Sequence, residues 1–286
     1  MFLWDLDPEG IVDVVARAGL EEIEFWVETP WYWEGGRRED QAREIKRVIG
    51  ELRMTLHAPV MDLNPASYND LVCQATIAES LRAIDLAEFL GAEVVTIHPG
   101  RRTAKRPARD AERHKIHKYL VACLDRAEEA GIVLALENLE PAPWNICAEP
   151  EEMAQFLAEL PLGMTLDISH ATPPLSRAMA FIDALNDRIL NVHVSTTRKG
   201  IRHLPPSDGS VDLVLAALRD AGYGGPLTLE LDDKKFPKTL SKDDKVGVLR
   251  RERLYLESVW ADLRRSSLRS RTDRPRLRHH LMLLIT

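Results

Sequence analysis

The chain has 286 residues, 45% of them hydrophobic and 29% charged, with a formal net charge of −7. This composition supplies a sizeable core and excludes a disordered or fibrous chain, and the acidic balance argues against non-specific nucleic-acid binding. No apolar run nears the roughly 18 residues a membrane span needs. The start, MFLWDLDPEG, has no basic region followed by a long apolar stretch, so it is not read as a secretory signal. Cys73, Cys123 and Cys147 sit at unrelated spacings and form neither a zinc pattern nor a disulfide framework. They read as free thiols in a reducing cytosol, which makes the expected location cytoplasmic.

In chain order, Phe2-Leu3-Trp4 offers at most a stunted first strand ahead of an amphipathic segment at 8–18. Strands are then expected at 23–27, 54–57, 94–98, 133–136, 164–167, 190–194 and 227–231. Helices at 40–52, 71–90, 110–130, 150–160, 176–185 and 211–221 separate them, with apolar residues recurring every three or four positions. Gly19, Gly91, Gly131 and Gly222 stand just past helix ends, where left-handed caps belong. Strand-to-helix alternation implies a parallel sheet covered by helices, and the length suits one (β/α)₈ TIM barrel, typically about 250 residues, with its first strand short or truncated. A doubly wound open sheet is the alternative, but no glycine-rich phosphate loop follows an early strand. The barrel is expected over 1–262. Residues 263–286, arginine-rich and ending in Leu281-Met282-Leu283-Leu284-Ile285, read as a disordered or loosely docked extension outside the fold.

The informative feature is where the ionisable residues fall. Six consecutive expected strands each end on or carry a metal-ligand type: His57, His98, Glu137, Asp167, His193 and Glu230. In a closed parallel barrel the C-terminal strand ends converge on one face, so these residues would point at a common centre. Glu137, Asp167, His193 and Glu230 would make one compact shell. His57 and His98 could hold a second ion with Glu137 bridging, and His170 and His203 a third site or the substrate. Oxygen and imidazole donors without thiolate suit Zn²⁺, Mn²⁺, Co²⁺ or Fe²⁺, one or two ions, without choosing among them. No organic cofactor site is expected.

Other residues have bland and functional readings side by side. The loop carrying Arg101, Arg102, Lys105, Arg106 and Arg109 could grip a phosphate or be solvated. Trp31 and Trp33, with Trp26, Tyr32 and Trp144, could stack on a sugar or merely cover the barrel end. Glu24 reads as a buried polar residue or a substrate contact. His114 and His117, on one helix, read as surface residues, and His279 and His280 belong to the tail.

Together His57-Ala58-Pro59, His98-Pro99-Gly100, Glu137-Asn138, Asp167-Ile168-Ser169-His170, His193, Arg202-His203 and Glu230 resemble the xylose-isomerase-like barrel superfamily, across residues 2 to 262. That superfamily includes sugar-phosphate isomerases and epimerases and the apurinic-site endonucleases. For the isomerases the resemblance implies metal binding by Glu137, Asp167, His193 and Glu230, with Glu137 and Glu230 also moving the proton. A metal chelating a carbonyl and its neighbouring hydroxyl acidifies the C–H and stabilises an enediolate. His170, His203, Arg202, Trp31 and Trp33 would then face the substrate. For the endonucleases it implies three zinc ions: His57, His98 and Glu137 on the first, Glu137, Asp167, His193 and Glu230 on the second. The third would need His170, His203 and an aspartate two residues before His203, where this chain has Ile201; Asp208 is nearby but displaced.

The leading expectation is therefore a metal-dependent sugar or sugar-phosphate isomerase or epimerase, with a small-molecule partner, no membrane, and self-association left open. A zinc-dependent apurinic-site endonuclease or phosphoesterase is second. A non-catalytic ligand-binding barrel is third, since fold alone does not fix function.

Overall fold

The structure is a computed structural model describing residues 2–34, 38–50, 52–104, 106, 110–209, 211–267 and 281–285. Helix α1 (Pro8–Ala18) opens on Asp7, whose carboxylate accepts from Gly10 N at 2.7 Å, with Pro8 in the first turn where no N–H is missed. The elements then alternate: β1 (Glu22–Trp26), α2 (Pro30–Glu34), α3 (Arg38–Ile49), β2 (Arg53–His57), α4 (Asp70–Leu90), β3 (Val94–Ile97), α5 (Asp110–Ala130), β4 (Val133–Glu137), α6 (Pro150–Glu159) and β5 (Gly163–Asp167). The second half runs α7 (Ile168–Ala171), α8 (Leu175–Leu185), β6 (Ile189–Val194), a hairpin of β7 (Thr196–Arg198) and β8 (Ile201–Leu204), α9 (Asp212–Asp220), β9 (Leu227–Leu229), α10 (Lys242–Ser267) and β10 (Leu281–Ile285).

The barrel is closed in the order β1-β10-β9-β6-β5-β4-β3-β2, and every neighbouring pair is parallel. β1 and β5 are buried along their whole length, as strands with side chains packed on both faces must be. Among the described residues no helix is long and apolar enough to cross a membrane.

Two expectations are corrected at the seam. Residues 2–5 form a turn, so Phe2-Leu3-Trp4 is not a first strand. Its place beside β1 is taken by Leu281–Ile285, which pairs Glu24 with Leu284 on one side and Leu227 with Leu281 on the other. The reading that put 263–286 outside the fold is therefore overturned for its end. The physical reason is the open edge that a missing first strand leaves on β1 and β9, whose N–H and C=O groups need partners. α10 also continues to Ser267. His279 and His280 lie outside the described residues.

The strands share a two-residue pattern that positions the site. Thr55–His57, Thr96–His98, Ala135–Glu137, Thr165–Asp167, Asn191–His193 and Thr228–Glu230 each place two side chains on one face of a strand. That face is the barrel interior: the Thr96 and Thr165 hydroxyls meet at 2.9 Å although β3 and β5 are not neighbours, and the His57 and His193 rings stack at 6.0 Å across the axis. The barrel core thus carries a layer of small, mostly polar side chains directly beneath a layer of metal-ligand types.

Candidate metal centre

The upper layer converges. Glu137, at the end of β4 and 1% exposed, sits at its centre. Its Oε2 lies 3.1 Å from His57 Nε2 and 3.1 Å from His98 Nε2. Its Oε1 faces the other way, 3.4 Å from His170 Nδ1 and 3.7 Å from His193 Nδ1. Glu230 Oε2 lies 3.4 Å from His193 Nδ1 and 3.5 Å from His203 Nδ1. Three groups result, each with ligand atoms within 4.8 Å of one another: His57, His98 and Glu137; Glu137, Asp167, His193 and Glu230; and Asp167, His170 and His203.

The donor set fits a divalent ion. Asp167 Oδ2, His193 Nδ1 and Glu230 Oε2 are buried and have no hydrogen-bond partner, although all three belong to the four-residue group. Buried polar atoms left unpaired are costly, and three aimed at one point are explained by a cation that accepts their lone pairs. The imidazole backs are secured in turn. His57 Nδ1 donates to Ala58 O at 2.8 Å, leaving Nε2 facing Glu137. His170 Nδ1 donates to Asn138 O at 3.0 Å. Such partners fix the tautomer that leaves the other nitrogen free as a ligand.

Asn138 does more than sequence reasoning assigned to it. Its amide donates to Asp167 O at 3.1 Å and its Oδ1 accepts from Asp167 N at 2.8 Å, locking β5 to β4 at the height of the site. The β7–β8 hairpin is a second unforeseen element. Lys199 and Gly200, both at positive φ (52° and 79°), form its two-residue turn. It brings Arg202 and His203 back over the mouth, with His203 itself held at φ 56°, a conformation that costs a non-glycine residue energy and recurs at functional sites.

The charges are coupled. Burial pushes the Glu137 carboxyl up, but His98, His193 and His170 outweigh it and hold the group well below its usual range. Glu230 is likewise raised by burial and then held well below its usual range by His203 and His193. Asp167 goes the other way: burial and the neighbouring Glu230 lift it to about 7 against the pull of His170 and His203. Burial lowers His170, yet Asp167 and Glu137 raise it to about 10. His193 is raised well above its ordinary value by Glu24, Glu137 and Glu230, which overcome burial. His98, by contrast, is lowered by burial.

A pocket opens beside the cluster, lined in part by His98 and His170. Val60, Leu63, Leu139 and Tyr119 line it as well, together with Arg101, Glu140 and Asn145. Gly100, at φ +85°, is required here, because a Cβ would stand 2.6 Å from Pro65 and 2.8 Å from Asn64 Oδ1. Arg202 lies near Glu140 and helps His170 hold that carboxyl low against burial.

The other candidates are placed as follows. Arg102 bonds to Glu152 at 2.6 Å and to Asn145 O, so it is committed within the protein rather than to a phosphate. Lys105 and Arg109 lie outside the described residues. Trp33, on α2, donates to Val27 O at 2.6 Å and stacks on Arg38, while Trp31 is half-buried against the core; neither lines the pocket. Ile201 is 48% exposed on the hairpin, and Asp208 belongs to none of the three groups. The carboxylate beside His170 and His203 is Asp167 instead. Glu24, left undecided above, is fully buried and contacts His193. Burial raises its carboxyl, but His193 brings it below its usual range. His114 and His117 lie on α5.

Comparison with known proteins agrees with this geometry. An uncharacterized protein of Methanocaldococcus jannaschii is 31% identical over 264 residues, covering 91% of this chain and 97% of that protein. Endonuclease 4 of Thermus thermophilus is 26% identical over 170 residues, 57% of this chain and 58% of the endonuclease. A crystal structure of a D-tagatose 3-epimerase-like protein superposes with a TM-score of 0.70 at 25% identity, over 85% of this chain and 91% of that one. The xylose isomerase-like TIM barrel family matches residues 12–257. A barrel with its ionisable residues gathered at the C-terminal strand ends, and a family match across nearly all of it, give one conclusion: this chain belongs to the xylose isomerase-like TIM barrel family.

Proposed function

We propose that the chain is a divalent-metal-dependent isomerase or epimerase of a small sugar or sugar phosphate. The observation that carries this reading is the pair Glu137, buried, and Glu230, half-buried: two carboxyls, both held well below their usual range, in one four-residue ligand group beside a pocket. Both are therefore carboxylates at neutral pH, the form a base needs. An ion held by Glu137, Asp167, His193 and Glu230 would polarise a substrate carbonyl and neighbouring hydroxyl and stabilise the enediolate. Glu137 and Glu230 take the proton from the carbon next to the carbonyl and return it. His170, which lines the pocket, with Arg202 and His203 on the hairpin, orients the hydroxyls, and the apolar lining residues exclude water. The net charge of −7 and the internal commitment of Arg102 favour a small substrate over a DNA backbone.

A second reading, hydrolysis of a phosphate ester by more than one ion, is favoured by one observation: His57 and His98 both face Glu137 Oε2, the arrangement a bridging carboxylate would have. One pair of assays separates the two. Metal-loaded chain incubated with a panel of ketoses in D₂O should place deuterium on a carbon adjacent to the carbonyl, and Glu137→Gln and Glu230→Gln should each lower exchange by about 10²-fold or more. Absence of exchange with every sugar, together with Glu137-dependent incision of duplex DNA carrying one abasic site, would reverse the assignment.

A further inference from the structure

Glu24 on β1 is 0% exposed, and its contacts form a chain across three strands. The Thr228 hydroxyl donates to Asn191 Oδ1 at 2.7 Å. This turns the Asn191 amide toward Glu24, whose Oε2 accepts from Asn191 Nδ2 at 2.7 Å. Both Glu24 oxygens lie 3.2 Å from His193 Nε2. A carboxylate offers only acceptors, so Nε2 keeps its hydrogen, and Nδ1 is the nitrogen whose lone pair serves an ion once the ring is neutral. Nδ1 is the atom that faces Glu230 at 3.4 Å and Glu137 at 3.7 Å, buried and without a hydrogen-bond partner.

We infer that Glu24 is a positioning residue: it fixes the ring and tautomer of His193 so that Nδ1 presents its lone pair to the ion shared with Glu137, Asp167 and Glu230, and thereby sets the affinity of the site. The inference rests on the metal-centre reading above. It differs from a bland role as a buried plug of the barrel, because a plug affects stability without affecting coordination. The donor order is also constrained. In Glu24→Gln the new amide nitrogen faces either the Asn191 amide or the His193 N–H, donor against donor, unless Asn191 turns over and gives up the hydrogen bond that its Oδ1 accepts from Thr228. Pairing it with Asn191→Asp restores the order: the introduced carboxylate accepts from Thr228 and from the glutamine amide, and the glutamine oxygen accepts from His193 Nε2.

The test is Zn²⁺ titration of the full chain against a competing chelator, with the visible absorption of the Co²⁺-loaded chain and the melting temperature of the metal-free chain read alongside. Glu24→Gln should bind Zn²⁺ about 10–100-fold more weakly and change the Co²⁺ spectrum. The double variant Glu24→Gln/Asn191→Asp should recover most of the affinity and the spectrum. Wild-type affinity and spectrum in Glu24→Gln, with or without a change in melting temperature, would overturn the inference alone. So would a double variant that folds yet binds no better than the single one. If wild-type protein takes up no more metal than Glu137→Ala, the metal centre itself fails and the inference falls with it.

Discussion

At the scale of single residues, the site is a set of groups whose protons and ligand roles compete. His170 carries its proton up to about pH 10, mainly through Asp167 and Glu137 against burial. A group with a raised folded-state value stabilises the fold fully below its ordinary value, near 6.5 for histidine, and loses that contribution as pH rises through the raised value. Asp167, lifted to about 7, shifts stability in the same direction over its own lower range. Metal-free chain should therefore lose at least about 5 °C of melting temperature between pH 7 and 10, and His170→Asn should flatten that slope; an equally steep slope in the variant contradicts the assignment. The six ligand candidates were legible in the sequence because each is the lone ionisable group at or near the end of an expected strand, as in Thr55-Leu56-His57 or Val192-His193-Val194. Glu24 was legible as a buried polar residue or a substrate contact but not as a partner of His193, because nothing in the one-dimensional pattern says that β1 and β6 meet across the barrel.

At the scale of elements, strands carry the ligands and their connections aim them. The two hydrogen bonds from Asn138 to Asp167 set the height of β5 against β4, and its carbonyl holds His170. Asn138→Ala removes both side-chain bonds to the Asp167 backbone, at a cost of about 1 kcal/mol each. It should lower the melting temperature and weaken metal binding together; a variant with wild-type affinity would show that the strands hold Asp167 unaided. Sequence periodicity placed the strand-helix units well, since helices such as α1 and α9 have apolar faces to bury. The β7–β8 hairpin escaped because its strands have three and four residues and sit inside what reads as one long loop. The same short hairpin delivers Arg202 and His203 to the mouth.

At the scale of the whole molecule, closure of the barrel depends on residues far from the repeating units. Leu281–Ile285 supplies the strand between β1 and β9 that residues 2–5 do not form. The arginine-rich stretch before it hid this role, because charge density outweighs a five-residue apolar run in any composition-based reading. A chain ending at Ser267 leaves two strand edges open and should melt at least about 5 °C lower or self-associate through those edges; an unchanged, monomeric melt would show that β10 contributes nothing. The account as a whole turns on whether side chains from successive strands share a cation. Anomalous diffraction at the metal edge, from crystals of the chain grown with Zn²⁺ or Mn²⁺, measures that directly. The account predicts a peak bonded at about 2.0–2.3 Å to Glu137, Asp167, His193 and Glu230. A well-ordered barrel from metal-soaked crystals with no peak among those four side chains would contradict it.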